Sequence, residues 1–359
     1  MKNNLSISVP KLIKGIVNGE IPALSKAISL VESKLPIHQK WAQELEVAFS
    51  KENPNTIRVG ISGVPGVGKS TLIEALGMYL VEKGLRLAVL TIDPSSQQSG
   101  GSILGDKTRM DQLAAHKSAY IRTTAAASTL GGVAQNTRSS ILFCEAAGFD
   151  VIIVETVGVG QNELEVHEMV DALLLLQLPG AGDEIQGIKR GLLEVADALL
   201  INKADGAQAP LAKKAQQYFK ASVHGFRPRK NGWEPPVLLA SAIENRGVKE
   251  MWQSIEDFIR LQKKHGDFEL KRTAQKILQY IIENLKPNRD QIYLYPQEVM
   301  PATGYTSAAS IIKGITGLIH KQLIAKSTFK HLYFINPAIF FNGDRLTFIQ
   351  DFRKKKYPN

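Results

Sequence analysis

A single cysteine, Cys144, excludes any disulfide within this chain of 359 residues. It falls in an apolar helical stretch, 141 to 147, which suits a buried, inert thiol better than a nucleophile. A reducing, cytoplasmic setting fits that usage. No apolar run is long enough to span a bilayer, and the opening Met1-Lys2-Asn3-Asn4 lacks the apolar core of a signal peptide. The seven histidines (His38, His116, His167, His224, His265, His320 and His331) show no paired metal-ligand spacing, and one thiol cannot build a thiolate metal site. No Ser-His-Asp or Cys-His pattern is present either. What remains is the composition of a soluble globular protein, 44% hydrophobic and 22% charged. The length allows one large domain with appendages, or two domains.

Positive charge is unevenly placed. The formal net charge is +10, yet residues 263 to 359 alone hold 16 Lys and Arg against 7 Asp and Glu. A basic balance can indicate nucleic acid or an anionic surface. Here it belongs to one terminal segment ending in Arg353-Lys354-Lys355-Lys356, which reads as a solvated tail in preference to a nucleic-acid contact.

Three regions follow from the pattern of apolar residues. Residues 1–55 form a helical extension, with apolar positions such as Leu12, Ile16, Leu24, Ile28, Leu30 and Val31 punctuated by Pro10, Pro22 and Pro36. Residues 56–262 alternate short apolar runs with helical patterns, the expected strands being 57–62, 86–92, 150–155, 172–178, 197–202 and 236–241. Such alternation predicts an α/β fold, a mostly parallel sheet with helices on both faces. Residues 263–359 form a C-terminal appendage with helices expected over 268–285 and 305–323, broken by Lys286-Pro287-Asn288. Eleven of the chain's 25 aromatic residues lie beyond residue 286.

The richest motif is Gly63-Val64-Pro65-Gly66-Val67-Gly68-Lys69-Ser70, followed by Thr71. It fits the phosphate loop pattern of glycine, four free residues, Gly-Lys and Ser or Thr. A strand running through glycines into a helix aims several backbone N–H groups at one point, where the helix dipole also favours anions. Lys69 can reach the β- and γ-phosphates, and the Ser70 hydroxyl can ligate Mg²⁺. An ordinary glycine-rich turn does not need these flanks.

A second motif, Asn202-Lys203-Ala204-Asp205, follows an expected strand. The Asp205 carboxylate can accept from guanine N1–H and the 2-amino group, donors that adenine lacks, so GTP is expected over ATP. Lys203 can lay its stem along the base and Asn202 can tie this loop to the phosphate loop. Ser241-Ala242-Ile243 suits a further base-contacting loop. A third motif, Val151-Ile152-Ile153-Val154-Glu155-Thr156-Val157-Gly158, delivers an acid at a strand end, with a glycine three residues later. Glu155 can hold Mg²⁺ through water, and the Gly158 N–H can contact the γ-phosphate. Asp93 and Asp106 are further magnesium candidates, joined by a Ser/Gly/Gln-rich loop suited to a switch. Helix capping is the plain alternative for each of these acids. Many Ras-like GTPases place glutamine directly after the switch glycine to orient water. Val159 stands there instead and Gln161 is the nearest glutamine, so slow intrinsic hydrolysis is expected.

With these residues in hand, 56 to about 262 resembles the MeaB/ArgK family of G-proteins. Asp93-Pro94-Ser95-Ser96 and 100 to 110 resemble its first switch, and Glu155 to Gln161 its second. Leu178 to Glu184 with Gln186-Gly187-Ile188-Lys189 resembles an additional switch that reads the partner. The resemblance implies a homodimeric GTPase chaperone of adenosylcobalamin-dependent methylmalonyl-CoA mutase, which gates cofactor loading and protects or reactivates the mutase. It carries Lys69 and Ser70 to phosphate and magnesium, Asp93, Asp106 and Glu155 to the metal region, and Asp205 to guanine. An older label of the family, a kinase or ATPase of amino-acid transport, fits the Asn-Lys-x-Asp loop poorly. No Asp-x-His-x-x-Gly string is present, which places cobalamin on the partner. The likeness fades after about residue 285. The aromatic, basic remainder reads as an added module, a diverged dimer arm or frame-shifted sequence.

Overall fold

The computed structural model describes residues 8–49, 55–93, 110–125, 132–156, 166–180, 190–226, 229, 231–265, 267–285, 290–305, 307–320 and 323–336. The chain folds into two compact units, Met1–His265 and Gly266–Asn359.

The first unit opens with three helices, α1 (Val9–Val17), α2 (Ile21–Glu32) and α3 (Pro36–Ala48). Each carries its proline in the first turn, where a missing N–H costs nothing and the fixed φ suits a helix. The prolines thus start helices. Ile16, Leu24, Ile28, Leu30 and Leu45 are buried in one core with Leu90 and Ile92 of β2, Ile152 and Val154 of β4, and Phe143 and Cys144 of α6. These elements are β2 (Leu87–Asp93), β4 (Val151–Glu155) and α6 (Gly132–Ala146). The N-terminal helices therefore cover one face of the sheet.

The remaining strands of that sheet are β1 (Ile57–Gly63), β3 (Ala119–Ala125), β5 (Ala172–Gln177), β6 (Ala198–Ile201) and β7 (Val237–Leu239). The order is β3-β2-β4-β1-β5-β6-β7, and every pairing is parallel. Parallel strands covered on both faces need apolar side chains in succession, as Val151 to Val154 and Leu173 to Leu176 supply. Six of the seven strands match the expected runs to within two residues at either end. The exception is β3, an edge strand whose Arg122 faces Glu32 of α2 as an ion pair. Helices α4 (Lys69–Glu82), α5 (Asp111–Ala115), α7 (Arg190–Val195), α8 (Ala209–His224) and α9 (Val248–His265) are the further helices among the described residues of this unit. On one side of β1 lie β4, β2 and β3, and on the other lie β5, β6 and β7. In open parallel sheets such a reversal opens a crevice at the carboxyl ends of the strands.

The second unit runs α10 (Asp267–Asn284), β8 (Gln291–Tyr293), α11 (Pro296–Thr303), α12 (Ala308–His320), β9 (Ile324–Lys326) and β10 (Leu332–Ile335). Its three strands form an antiparallel sheet in the order β8-β10-β9. Ile277, Ile281, Leu294, Val299, Ile311, Ile315, Leu318 and Ile335 make its core. The two expected helices are present with slightly different ends, whereas α11 and the sheet were not anticipated.

A candidate nucleotide site at the carboxyl edge of the sheet

Strand β1 ends at Gly63, beside Leu176 of β5. A Cβ there would lie 2.7 Å from the Leu176 carbonyl oxygen, so only glycine lets the chain turn off the strand at this point. The loop then rises through Val64, Pro65 and Gly66, the last two exposed, and is pinned by the fully buried Val67. Gly68 caps α4 with φ 91°, a left-handed conformation that disfavours any side chain. A Cβ there would also meet Asn202 Nδ2 at 2.8 Å.

The Lys69 ammonium donates to the Gly63 carbonyl at 2.8 Å and to that of Val64 at 3.4 Å. It is thereby held over the loop rather than released to solvent. Ser70 Oγ donates to Glu155 Oε1 at 3.5 Å. This brings a hydroxyl from the first turn of α4 together with a carboxylate from the end of β4. Two oxygen donors so placed suit a hard cation such as Mg²⁺. Thr71, next on α4, is exposed. Behind Glu155, the buried Thr156 hydroxyl donates to Ser62 Oγ at 3.0 Å and fixes the β4 end against β1. Thr91 pairs with Glu155 in the β2–β4 register, so the Asp93 backbone lies two residues further along the same edge. Asp106 and Gly158 lie outside the described residues, as does 181–189 of the third expected switch.

The Asn202-Lys203-Ala204-Asp205 motif emerges from β6 next to the phosphate loop. Asn202 is buried and its Nδ2 donates to the Val67 carbonyl at 2.9 Å, the tie expected of it. Lys203 takes a left-handed φ of 57° and its Nζ donates to the Gly66 carbonyl at 2.8 Å. Its aliphatic stem therefore bridges from one loop to the other. The Ala204 N–H donates to the Ala240 carbonyl at 2.9 Å, and the Arg246 guanidinium donates to the Ala204 carbonyl. Ser241 and Arg246 exchange backbone hydrogen bonds at 2.9 and 3.0 Å, and the Glu244 N–H donates to Ser241 Oγ at 3.2 Å. The loop holding Ser241, Ala242 and Ile243 is thus stitched to the loop holding Asp205. Ile243 is 82% exposed. Asp205 is half-buried, precedes the short 3-10 turn Gly206–Gln208, and makes no side-chain cap to it. Capping does not account for that carboxylate.

Arg246 was not a sequence candidate. Its partner is a backbone carbonyl, which leaves no mark in the residue pattern. The Lys203 link to Gly66 was missed for the same reason.

The family model described as methylmalonyl Co-A mutase-associated GTPase MeaB matches residues 24–289. The chain belongs to the MeaB family. A probable GTPase of Mycobacterium tuberculosis is 49% identical over 270 residues, 75% of this chain and 80% of that protein. The mitochondrial methylmalonic aciduria type A homolog of Mus musculus is 41% identical over 312 residues, 81% of this chain and 75% of that one. Among solved structures, a LAO/AO transport system kinase shares 33% identity at a TM-score of 0.65, covering 89% of this chain and 99% of its own. This MeaB-family protein is a P-loop GTPase. Among the described residues, no helix is long and apolar enough to cross a membrane.

Proposed function

We propose that this MeaB-family GTPase is a GTP-dependent chaperone of adenosylcobalamin-dependent methylmalonyl-CoA mutase. In this role it gates cofactor loading and protects or reactivates the enzyme, working as a cytoplasmic homodimer. The observation that carries the reading is the match over 24–289 to a family described as mutase-associated. The murine relative, named for methylmalonic aciduria, supports the same client.

In this reading the N–H groups from Gly63 to Thr71 cradle the phosphates, and Lys69 exchanges its carbonyl partners for β- and γ-phosphate oxygens. Ser70 and Glu155, with Asp93 and Asp106, would hold Mg²⁺. A bound Mg²⁺ neutralises charge developing between the β- and γ-phosphates. Asp205 selects guanine through two N–H donors, while Lys203 and the Ser241–Ile243 loop flank the base. Gly158 senses the γ-phosphate and relays hydrolysis to the client-facing switches. Water attack lacks an orienting glutamine beside Gly158, so turnover without a partner is slow.

Support for the guanine assignment comes from the uncapped, half-buried Asp205 beside a loop tied to the phosphate loop. The name of the 33% identical solved structure favours a second reading, a P-loop kinase or ATPase linked to transport. Calorimetry on nucleotide-stripped, Mg²⁺-replete protein separates the two, since the kinase reading expects ATP to bind at least as well as GTP. The client is tested by pull-down with GTP- and GDP-loaded protein, scored for the mutase. Retention in one nucleotide state is the expected result; retention in neither sinks the chaperone role.

A further inference from the structure

The second unit has an element order that the nucleotide site does not use. Helix α10 is followed by β8, then two helices, then the β9–β10 hairpin, with β10 between β8 and β9. This is the topology of a winged helix-turn-helix. The matched family residues stop at 289, before β8 begins. Helix α11 ends at Thr303, and Gly304 caps it with φ 72°. Only residues 304 to 307 separate it from α12, and a connection that short and containing glycine is what joins the two helices of a helix-turn-helix.

Helix α12 has two opposite stripes. Ile311, Gly314, Ile315 and Leu318 are buried in the unit's core. A Cβ at Gly314 would lie 2.5 Å from Ile277 Cδ1 and 2.8 Å from Thr273 Cγ2, so this glycine seats α12 tightly on α10. Ala309, Ile312, Lys313, Thr316 and His320 form the opposite, exposed stripe. It mixes small, apolar and basic groups. The hairpin loop 327–331 is held by a Phe329 N–H bond to Ser327 Oγ at 3.2 Å and a Ser327 N–H bond to the Leu332 carbonyl at 3.1 Å. That loop presents Lys330 and the 68% exposed Phe329.

Charge complements a polyanion. Residues 286 to 336 contain six Lys and Arg against two acids, Asp290 and Glu298, both of which precede the turn. Lys313, Lys326 and Lys330 are exposed, and none forms an ion pair among the described residues.

We propose that the second unit binds duplex DNA, with α12 in the major groove and the 327–331 loop on the flanking backbone. A B-form major groove is about 12 Å wide and admits a helix, whereas the deep, narrow groove of an RNA duplex does not. Lys313 then reaches base edges or phosphate, Ala309 and Thr316 offer apolar contact to thymine methyl groups, and Lys330 contacts phosphate. The proposal stands independently of the mutase reading. It reverses the expectation of a merely solvated basic tail.

The test is fluorescence anisotropy of the full chain with a labelled 30-bp mixed-sequence duplex at several salt concentrations. Binding at 50 mM salt should weaken steeply by 200 mM, as counterion release requires. Lys313→Glu and Lys330→Glu should each weaken it by about tenfold and lower the salt slope by about one, with GTP affinity unchanged. Lys313→Gln and Lys330→Gln replace them should a glutamate variant fail to fold. No binding at 50 mM salt overturns the proposal. So does equal affinity in these variants, equal affinity for an RNA duplex, or loss only when Arg353 to Lys356 are replaced.

Discussion

Asn202 and Val67 stand 135 positions apart, yet the Asn202 side-chain amide donates to the Val67 carbonyl at 2.9 Å inside the protein. This bond ties the loop carrying Asp205, the proposed guanine selector, to the phosphate loop. Gly68 keeps the gap between them narrow, since a methyl group at that position would strike the same amide nitrogen. Leaving a buried acceptor unpaired costs about 1–3 kcal/mol. Asn202→Ala should therefore weaken GTP binding by about tenfold or more while the sheet stays folded. Isothermal titration calorimetry with circular dichroism checks both halves; unchanged affinity would mean that the loops are held together by other contacts.

Asp205 gives the sharpest test of base choice. Replacing its carboxylate by an amide supplies a donor where guanine also offers donors, and removes an acceptor. Asp205→Asn should lose about 10²-fold or more in GTP affinity and gain affinity for xanthosine triphosphate, whose 2-oxo group accepts from the new amide. Competition against a fluorescent guanine nucleotide reads the exchange. A variant that binds GTP as before would show that recognition lies elsewhere, for example in the Ser241–Ile243 loop.

The Ser70–Glu155 pair predicts a shared phenotype. If both oxygens serve one cation, Ser70→Ala and Glu155→Gln should each raise the Mg²⁺ concentration needed for half-maximal hydrolysis, and the double variant should add little to the worse single one. Single-turnover rates of the unmodified protein should stay below about 1 s⁻¹, because unaided Ras-type turnover is orders of magnitude lower. Additive effects in the double variant would place the two groups in separate roles.

A buried ion pair links the phosphate-loop strand to its covering helix. Arg58 Nε on β1 donates to Glu145 Oε1 on α6 at 2.8 Å, with both side chains nearly inaccessible. Removing one partner of a buried pair typically costs about 3–5 kcal/mol. Glu145→Ala should lower the urea midpoint correspondingly, far more than loss of the exposed Arg260–Asp257 pair.

Much of this was legible in the residue pattern, and the exceptions share physical causes. Strands buried on both faces announce themselves as apolar runs, so β4 and β5 were plain. Strand β3 reads Ala-Tyr-Ile-Arg-Thr-Thr-Ala, because an edge strand can spend one face on an ion pair to α2. Its β-branched threonines were the available signal. Strands β8 and β9 have three residues each, too few to display a period of two. At the site, the Asn202 tie was legible because motif spacing encodes it. The Lys203 and Arg246 contacts were not, because each ends on a main-chain oxygen that every residue possesses.

Cys144 supplies a last prediction, about alkaline stability. Its side chain is fully inaccessible, and burial, with the neighbouring Glu145 carboxylate adding to it, pushes the thiol far above its ordinary range. In the unfolded chain the thiol ionises near pH 8.5, while in the native protein it stays neutral. Its folded pKa is raised, so the contribution to stability is intact below the unfolded value and is lost as pH rises above it. The loss should reach about 1.4 kcal/mol by pH 9.5. Urea melts of Cys144→Ala should show a smaller decline between pH 8 and 9.5 than the unmodified protein, whatever the variant's starting stability. A thiol reagent should label the native protein only slowly, and at once in denaturant. Rapid native labelling would show that the α6 core opens far more readily than its packing implies.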